Sequence, residues 1–224
     1  MNMFEYVKPK TLQDVPRLLS KGPSGTTVIG GGTDLLDEIK NAISLPRQLI
    51  SLVELKELQG VHVLSEYTRL GSQLTLTDLC ENPPLRSNYP MLVEAAYSVA
   101  TPQIRNIATV AGNLCQKPRC WYYRHPLFPC YKKGGTICYG IKGYNRNLAI
   151  IGGGPSFMVH PSDMAPALIA LNAKIEMYST KGFRIMELEE FFVGPEKSQL
   201  RENVLEPDEI VTSVLLPQPA NNIK

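Results

Sequence analysis

The feature that most limits how this chain can fold is a stretch of roughly 60 residues, from Thr101 to about Pro161, in which glycine and proline recur. Neither a helical nor a strand period is sustained there, although both patterns are clear on either side. A compact domain carries so long an irregular segment only where it wraps something or builds a site. Four of the five cysteines lie inside it, in "CQKPRCWYYRHPLFPCYKKGGTIC", Cys115 to Cys138.

The rest of the chain bounds what those cysteines do. At 224 residues, with 43% hydrophobic content, the chain buries a core without covalent staples, so disulfides are not required for folding. Twenty-three Lys and Arg against 21 Asp and Glu, scattered along the sequence, leave no basic footprint for nucleic acid. "MNMFEYVKPK" has charges and no apolar core of a secretory signal, and no apolar run is long enough to insert in a membrane. These observations point to the cytoplasm, with export alongside a partner as the alternative. In the cytoplasm, clustered cysteines more often bind metal or react than pair.

"TLQDVPRLLSK" reads as a helix capped by Thr11, with Val15, Leu18 and Leu19 on one face, and "TTVIG" as a strand. A helix to about Ala42 and a strand in "RQLISL" complete a βαβ-like unit of about 55 residues. "VHVLSEYTRLGSQLTL" has strand character with a turn at Glu66 and Tyr67, followed by helices near Leu76–Asn82 and Met91–Val99. After the irregular segment come a helix at "APALIALN", a strand at "AKIEMYS", a short helix around "MELEEFF" and a strand at "EIVTSVLLP". The class is α+β, with two subdomains meeting around loops.

Two glycine loops stand out. "VIGGGTDLL" follows a strand and opens a helix, so Gly30, Gly31 and Gly32 let the backbone turn sharply and aim N–H groups at an anion. Taken alone, the loop reads first as a plain structural turn, with Thr33 and Asp34 as caps. "ATVAGNL" offers a second such approach at Ala111, Gly112 and Asn113, and two separated loops suit the two phosphates of a dinucleotide better than one. Asp163, ahead of a helix in "HPSDMAP", is either a cap or an acceptor for a ligand hydroxyl. The cysteines, separated by 5, 10 and 8 positions, lack the CxxC step of zinc ribbons and the ferredoxin run. Iron–sulfur, zinc and ordinary thiols all stay open. Lys117, Arg119, Arg124, Lys132 and Lys133 surround them, where cations would lower thiol pKa values. Cys80 reads as a core residue, and His62, His125 and His160 as structural.

In order, "VIGGGTDLL", "LGSQLTLTDL", "TPQIRNIATVAGNL", "HPSDMAPALIALNAKIEM" and "LEPDEIVTSVLLP" resemble the FAD-binding medium subunit of the molybdenum hydroxylases, the xanthine dehydrogenase and carbon monoxide dehydrogenase family. The resemblance implies a two-subdomain FAD-binding fold of the molybdenum hydroxylase and vanillyl-alcohol oxidase type, divided as residues 1–55 and 56–219. It implies flavin contacts from Val28, Ile29, Gly30, Gly31, Gly32, Thr33, Asp34 and Leu35, from Thr75, from Thr109, Gly112 and Asn113, and from Asp163 and Val211. It also implies partners: a large subunit with the molybdenum cofactor and the substrate site, and a small 2Fe-2S subunit, in a heterotrimer that can dimerise.

Two departures from the family pattern refine this. About 45 residues separate "AGNL" from "HPSD", with the insertion at about 115–158, similar to the medium subunits of 4-hydroxybenzoyl-CoA reductase and periplasmic aldehyde oxidoreductases that carry a 4Fe-4S cluster. "CYKKGGTIC" matches the last part of that pattern, so the resemblance implies a 4Fe-4S cluster on Cys115, Cys120, Cys130 and Cys138, with Cys115 needed to reach four. The usual C-terminal domain is expected to be absent after Lys224, the chain being a fragment, a minimal form, or a subunit completed by another polypeptide. The expected function is electron transfer through FAD and the cluster to an external acceptor. The alternatives are a non-catalytic assembly module with a Cys₄ zinc site, and a flavoprotein subunit without the cluster.

Overall fold

A computed structural model describes residues 3–22 and 24–219. The described residues form two sheets. The first is parallel, in the order β1 (Glu5–Val7), β3 (Gln48–Ser51), β2 (Thr26–Ile29), with α1 (Asp14–Lys21) and α2 (Leu35–Lys40) as crossovers. The second is antiparallel, in the order β4 (Val61–Val63), β5 (Tyr67–Gly71), β8 (Ile210–Pro217), β6 (Lys174–Ser179), β7 (Gly182–Glu187).

The helices α3 (Leu76–Glu81), α4 (Pro83–Asn88), α5 (Pro90–Ser98), α6 (Pro102–Arg105) and α7 (Val110–Leu114) follow β5. Later come α8 (Trp121–Arg124), α9 (Met164–Ala170) and α10 (Leu188–Phe191). The main core joins Leu76, Leu92, Leu114 and Leu168 on helices to Ile175, Met177 and Val214 on strands, so α3, α5, α7 and α9 cover one face of the antiparallel sheet. Strand β6 alternates, with Ile175, Met177 and Ser179 buried. By contrast β8, buried on both faces from Ile210 to Leu216, is a central strand. Ile210 also joins Leu12, Val15, Ile50 and Leu58 in a second cluster that ties the parallel sheet to the antiparallel one. No helix among the described residues is long and apolar enough to cross a membrane.

Several local expectations are corrected. The first helix starts at Asp14, not at a Thr11 cap; the Asp14 carboxylate instead reaches back to the Thr11 hydroxyl (2.7 Å) and N–H (3.0 Å). Strand β1, helix α4 and strand β7 were not anticipated. Met186 and Glu187 belong to β7, so the helix expected around "MELEEFF" shrinks to Leu188–Phe191. The "ATVAGNL" segment is not an open loop: it folds into α7, with the Thr109 hydroxyl accepting from the Gly112 N–H at 3.1 Å. Cys80 is buried in α3 as expected.

Candidate functional site

Between the two sheets, β2 ends in Gly30–Gly32 and turns into α2. Gly32 takes a positive φ of 74°, which favours glycine. Gly31 lies so close to the second segment that an added Cβ would fall 1.8 Å from the Ile107 carbonyl oxygen, so this glycine is required by the approach of the two segments. Residues 27–35 wall a cavity of about 310 Å³ whose other sides include Leu52, Gln73, Thr109, Gly112 and Val211. A neighbouring cavity of about 600 Å³ runs past Thr75, Asp78, Asn106 and Ile107, and the two share Gly31, Gln73 and Thr109 as walls. The pair outlines a groove suited to an elongated ligand.

The two loops differ in what their backbones offer. Among the described residues, no hydrogen bond takes up the N–H groups of Gly30, Gly31, Gly32 or Thr33. The N–H groups of the second segment are used internally: Val110 to Leu74 (3.0 Å), Ala111 to Ser72 (3.1 Å), Asn113 to Thr109 (2.9 Å), and Gly112 to the Thr109 hydroxyl. Gln73 contributes a buried side-chain oxygen with no hydrogen-bond partner, placed on both cavities. Free N–H groups, one unpaired amide oxygen and the apolar walls at Ile29, Leu52 and Val211 fit a flavin dinucleotide.

The other expected flavin residues are spread more widely. Thr75 walls the larger cavity and caps α3, accepting from the Asp78 N–H at 3.0 Å. Asn113 is buried off the groove, its Oδ1 accepting from the Ser162 hydroxyl at 2.6 Å. Asp163 is exposed and walls neither cavity; the Ser162 hydroxyl accepts from the Ala165 N–H instead. Asp34 is claimed by the insertion, accepting from Arg124 (2.6 Å) and the Lys117 N–H (2.8 Å) and pairing with Arg119 (3.1 Å). Glu38, on the groove wall, accepts from the Tyr123 hydroxyl at 2.8 Å, and burial holds its carboxyl above the usual range.

The insertion carries its own aromatic cluster, Tyr122, Phe128 and Tyr139, with ring centroids 5.2–5.7 Å apart. A buried carboxylate holds it to the rest of the chain: Glu202 lies 2.5 Å from Lys117 Nζ and 2.9 Å from Lys132 Nζ, the latter an ion pair without hydrogen-bond alignment. The expectation that five cations serve the thiols is therefore corrected. Lys117 and Lys132 pair with Glu202, and Arg119 and Arg124 with Asp34, because buried carboxylates need partners. Lys133 beside Cys120 and Cys130, and Lys117 beside Cys115, only moderate the upward push that burial gives the Cys130 and Cys115 thiols.

The four cysteines do not converge. Cys120, Cys130 and Cys138 wall one small cavity of about 10 Å³. Cys115 lies on the 310 Å³ cavity instead, where burial pushes its thiol up to about 12. Among the described residues no three His, Cys, Asp or Glu side chains are gathered around a single-ion position. Sequence reasoning passed over Gln73, although it lies within the quoted "LGSQLTLTDL", and Glu202, a lone acid in a loop with no pattern to mark it.

A family model described as the FAD binding domain in molybdopterin dehydrogenase matches residues 2–127 and 135–219. The chain belongs to this family. The unmatched residues 128–134 fall inside the insertion and include Cys130. Among relatives of this FAD-binding family, the chain is 33% identical to the aldehyde oxidoreductase FAD-binding subunit PaoB of Escherichia coli K12, over 98% of this chain and 70% of PaoB. It is 30% identical to the nicotinate dehydrogenase FAD-subunit of Eubacterium barkeri, over 98% of this chain and 60% of that subunit. A solved structure of carbon monoxide dehydrogenase from Hydrogenophaga pseudoflava shares the fold, with a TM-score of 0.73 at 23% identity, over 98% of this chain and 61% of that one. The chain thus spans about 60 to 70% of these FAD-binding relatives.

Proposed function

We propose that this chain is the FAD-holding, electron-transferring subunit of a multi-subunit molybdenum hydroxylase. The supporting observation is the groove: two cavities sharing Gly31, Gln73 and Thr109, with the unpaired N–H groups of Gly30–Thr33 at their junction. FAD bound there accepts electrons from one redox centre and passes them to another, and the chemistry belongs to the cofactor. The chain's own contribution is placement. N–H groups at the end of β2 neutralise the pyrophosphate, Gln73 Oε1 accepts from a flavin or ribose donor, and Ile29, Leu52 and Val211 exclude water. Thr75, Thr109 and Gly112 line the groove, while Asn113 acts from behind it by holding Ser162, whose hydroxyl caps the start of α9.

The reading includes the division at about residue 55, the 4Fe-4S cluster in the insertion, and large molybdenum and small 2Fe-2S partner subunits that hold the substrate site. It places the complex in the cytoplasm, with co-export by a partner as the alternative. The test is an absorbance spectrum of the anaerobically purified complex with FAD, iron and acid-labile sulfide measured on the same sample. Gln73→Leu is expected to lower FAD content while leaving the chain folded, since the oxygen it removes has no protein partner. Full flavin retention in that variant counts against the placement, and a wild-type complex without flavin overturns the reading.

A further inference from the structure

The small cavity in the insertion has a wall that the cysteine pattern passes over. Alongside Cys120, Cys130 and Cys138 stands Ser156. It is 5% exposed, and among the described residues its hydroxyl forms no hydrogen bond; its carbonyl alone is used, accepting from the Gly154 N–H. A hydroxyl with no protein partner, set beside three thiols on one cavity wall, is available to an incoming ligand. The three thiols reach the same place from three turns, each cysteine being the residue before a short helix: Cys120 before α8, Cys130 before Tyr131–Lys133, Cys138 before Tyr139–Ile141. Cys115, at the end of α7 with its N–H bound to the Ala111 carbonyl, faces the flavin-side cavity.

The spread of these groups separates two metals. A zinc ion draws all its ligands to about 2.3 Å of one centre, and no three side chains among the described residues are gathered that way. In an iron–sulfur cube each protein ligand binds a different iron, so the ligands stand farther apart around a shared centre.

We propose that Ser156, rather than Cys115, is the fourth protein ligand of the cluster, completing a set of Cys120, Cys130, Cys138 and Ser156 around the small cavity. The inference rests on the iron–sulfur reading and replaces the ligand set that the sequence implies. Three thiols and one hydroxyl lose their protons on binding, so loading releases protons. The free volume of about 10 Å³ means that loading displaces side chains around it, among them Tyr122, Tyr139 and Met158. An oxygen donor is harder than sulfur and favours ferric iron, so this cluster has a lower potential than an all-cysteine one.

The test uses the complex purified anaerobically in four forms: wild type, Cys115→Ser, Ser156→Ala and Ser156→Cys. The far-ultraviolet circular dichroism spectrum serves as the folding control, FAD is measured alongside it, and iron, acid-labile sulfide and electron paramagnetic resonance report the cluster. Beyond the iron of the 2Fe-2S subunit, the expected result is about four irons per chain in wild type, Cys115→Ser and Ser156→Cys, falling to about three in Ser156→Ala with a changed signal. Ser156→Cys is also expected to raise the midpoint potential. Loss of iron in Cys115→Ser with wild-type iron in Ser156→Ala overturns this ligand assignment and leaves the iron–sulfur reading standing. Flavin with no iron beyond that of the 2Fe-2S subunit in the wild type and in Ser156→Cys, even after anaerobic reconstitution with iron and sulfide, overturns both.

Discussion

The two halves of the groove's surroundings are held by different forces. The antiparallel sheet and its helices are bound by close-packed apolar side chains, Leu76, Leu92, Leu168, Phe191 and Val214 all being fully buried. The cysteine-bearing insertion has a few stacked rings of its own and is fastened to the body by charge. Glu202 meets Lys117 and Lys132, Asp34 meets Arg124 and Arg119, and Glu38 meets the Tyr123 hydroxyl. Apolar packing is non-directional and tolerates repacking. Buried ion pairs are directional, and losing one partner leaves the other charged and dry. The difference teaches that the insertion is positioned as a unit, fastened both at Glu202 and on α2, which also walls the groove.

The sharpest way to break this contrast is Glu202→Ala. Lys132, whose side chain is 2% exposed, would lose its counter-ion, and the expected cost is about 3–5 kcal/mol. Protease cleavage should appear first between about residues 116 and 158, before the sheet unfolds; cleavage spread evenly along the chain would remove the contrast. Next is Leu168→Ala in the main core, with an expected loss of about 2–5 kcal/mol in urea unfolding. Its signature is global: the denaturation midpoint falls while insertion cleavage in the folded state stays at the wild-type rate. Asp34→Asn is smaller, about 1.5–3 kcal/mol, because it weakens charge-assisted hydrogen bonds to Arg124 and the Lys117 N–H without burying a bare cation. It should loosen the insertion and lower FAD content together, because Asp34 stands at the start of α2; a change in either one alone would show that loop and insertion are uncoupled.

How legible each region was follows from the same division. The β2–glycine–α2 turn, the β4–β5 hairpin and β8 announce themselves through period and glycine placement, and these elements wall the groove. Strand β1 is three residues long and β7 alternates weakly, with Phe183, Arg184 and Ile185 all exposed, so neither leaves a clear pattern. The second glycine segment misled for a physical reason. Its small residues serve close packing of α7 and internal capping by Thr109, an arrangement that looks the same in sequence as an open loop. In the insertion the residue types were visible but their pairing was not, since Glu202 lies 85 positions from Lys117 and 70 from Lys132. Cys115 illustrates the limit: the resemblance needed it as a fourth sulfur, and only the fold shows it at the C-terminal end of α7, on the wall of the 310 Å³ cavity.

The smallest expected effect concerns the seam between the two regions. His160 sits where the insertion rejoins the body, its ring 4.7 Å from that of Phe192 and its Nδ1 accepting from the Ser162 N–H. Burial holds its pKa below the ordinary value of 6.5, against the opposing pull of Glu202, and its Nε2 is buried without a partner. When pH falls through about 6.5, the unfolded chain takes up a proton that the folded chain resists, so stability present above that pH is lost as it falls. Glu38 works the other way: its raised carboxyl favours the folded state as pH falls towards its ordinary value of 4.5. The comparison that isolates the histidine is therefore wild type against His160→Gln, with urea midpoints measured at about pH 7.5 and about pH 5.5. The wild type should lose more stability on acidification than the variant, and the excess should appear as earlier release of the insertion. Equal losses would mean that protonation at the seam is accommodated and that the ion pairs around Glu202 and Asp34 hold the insertion without help from His160.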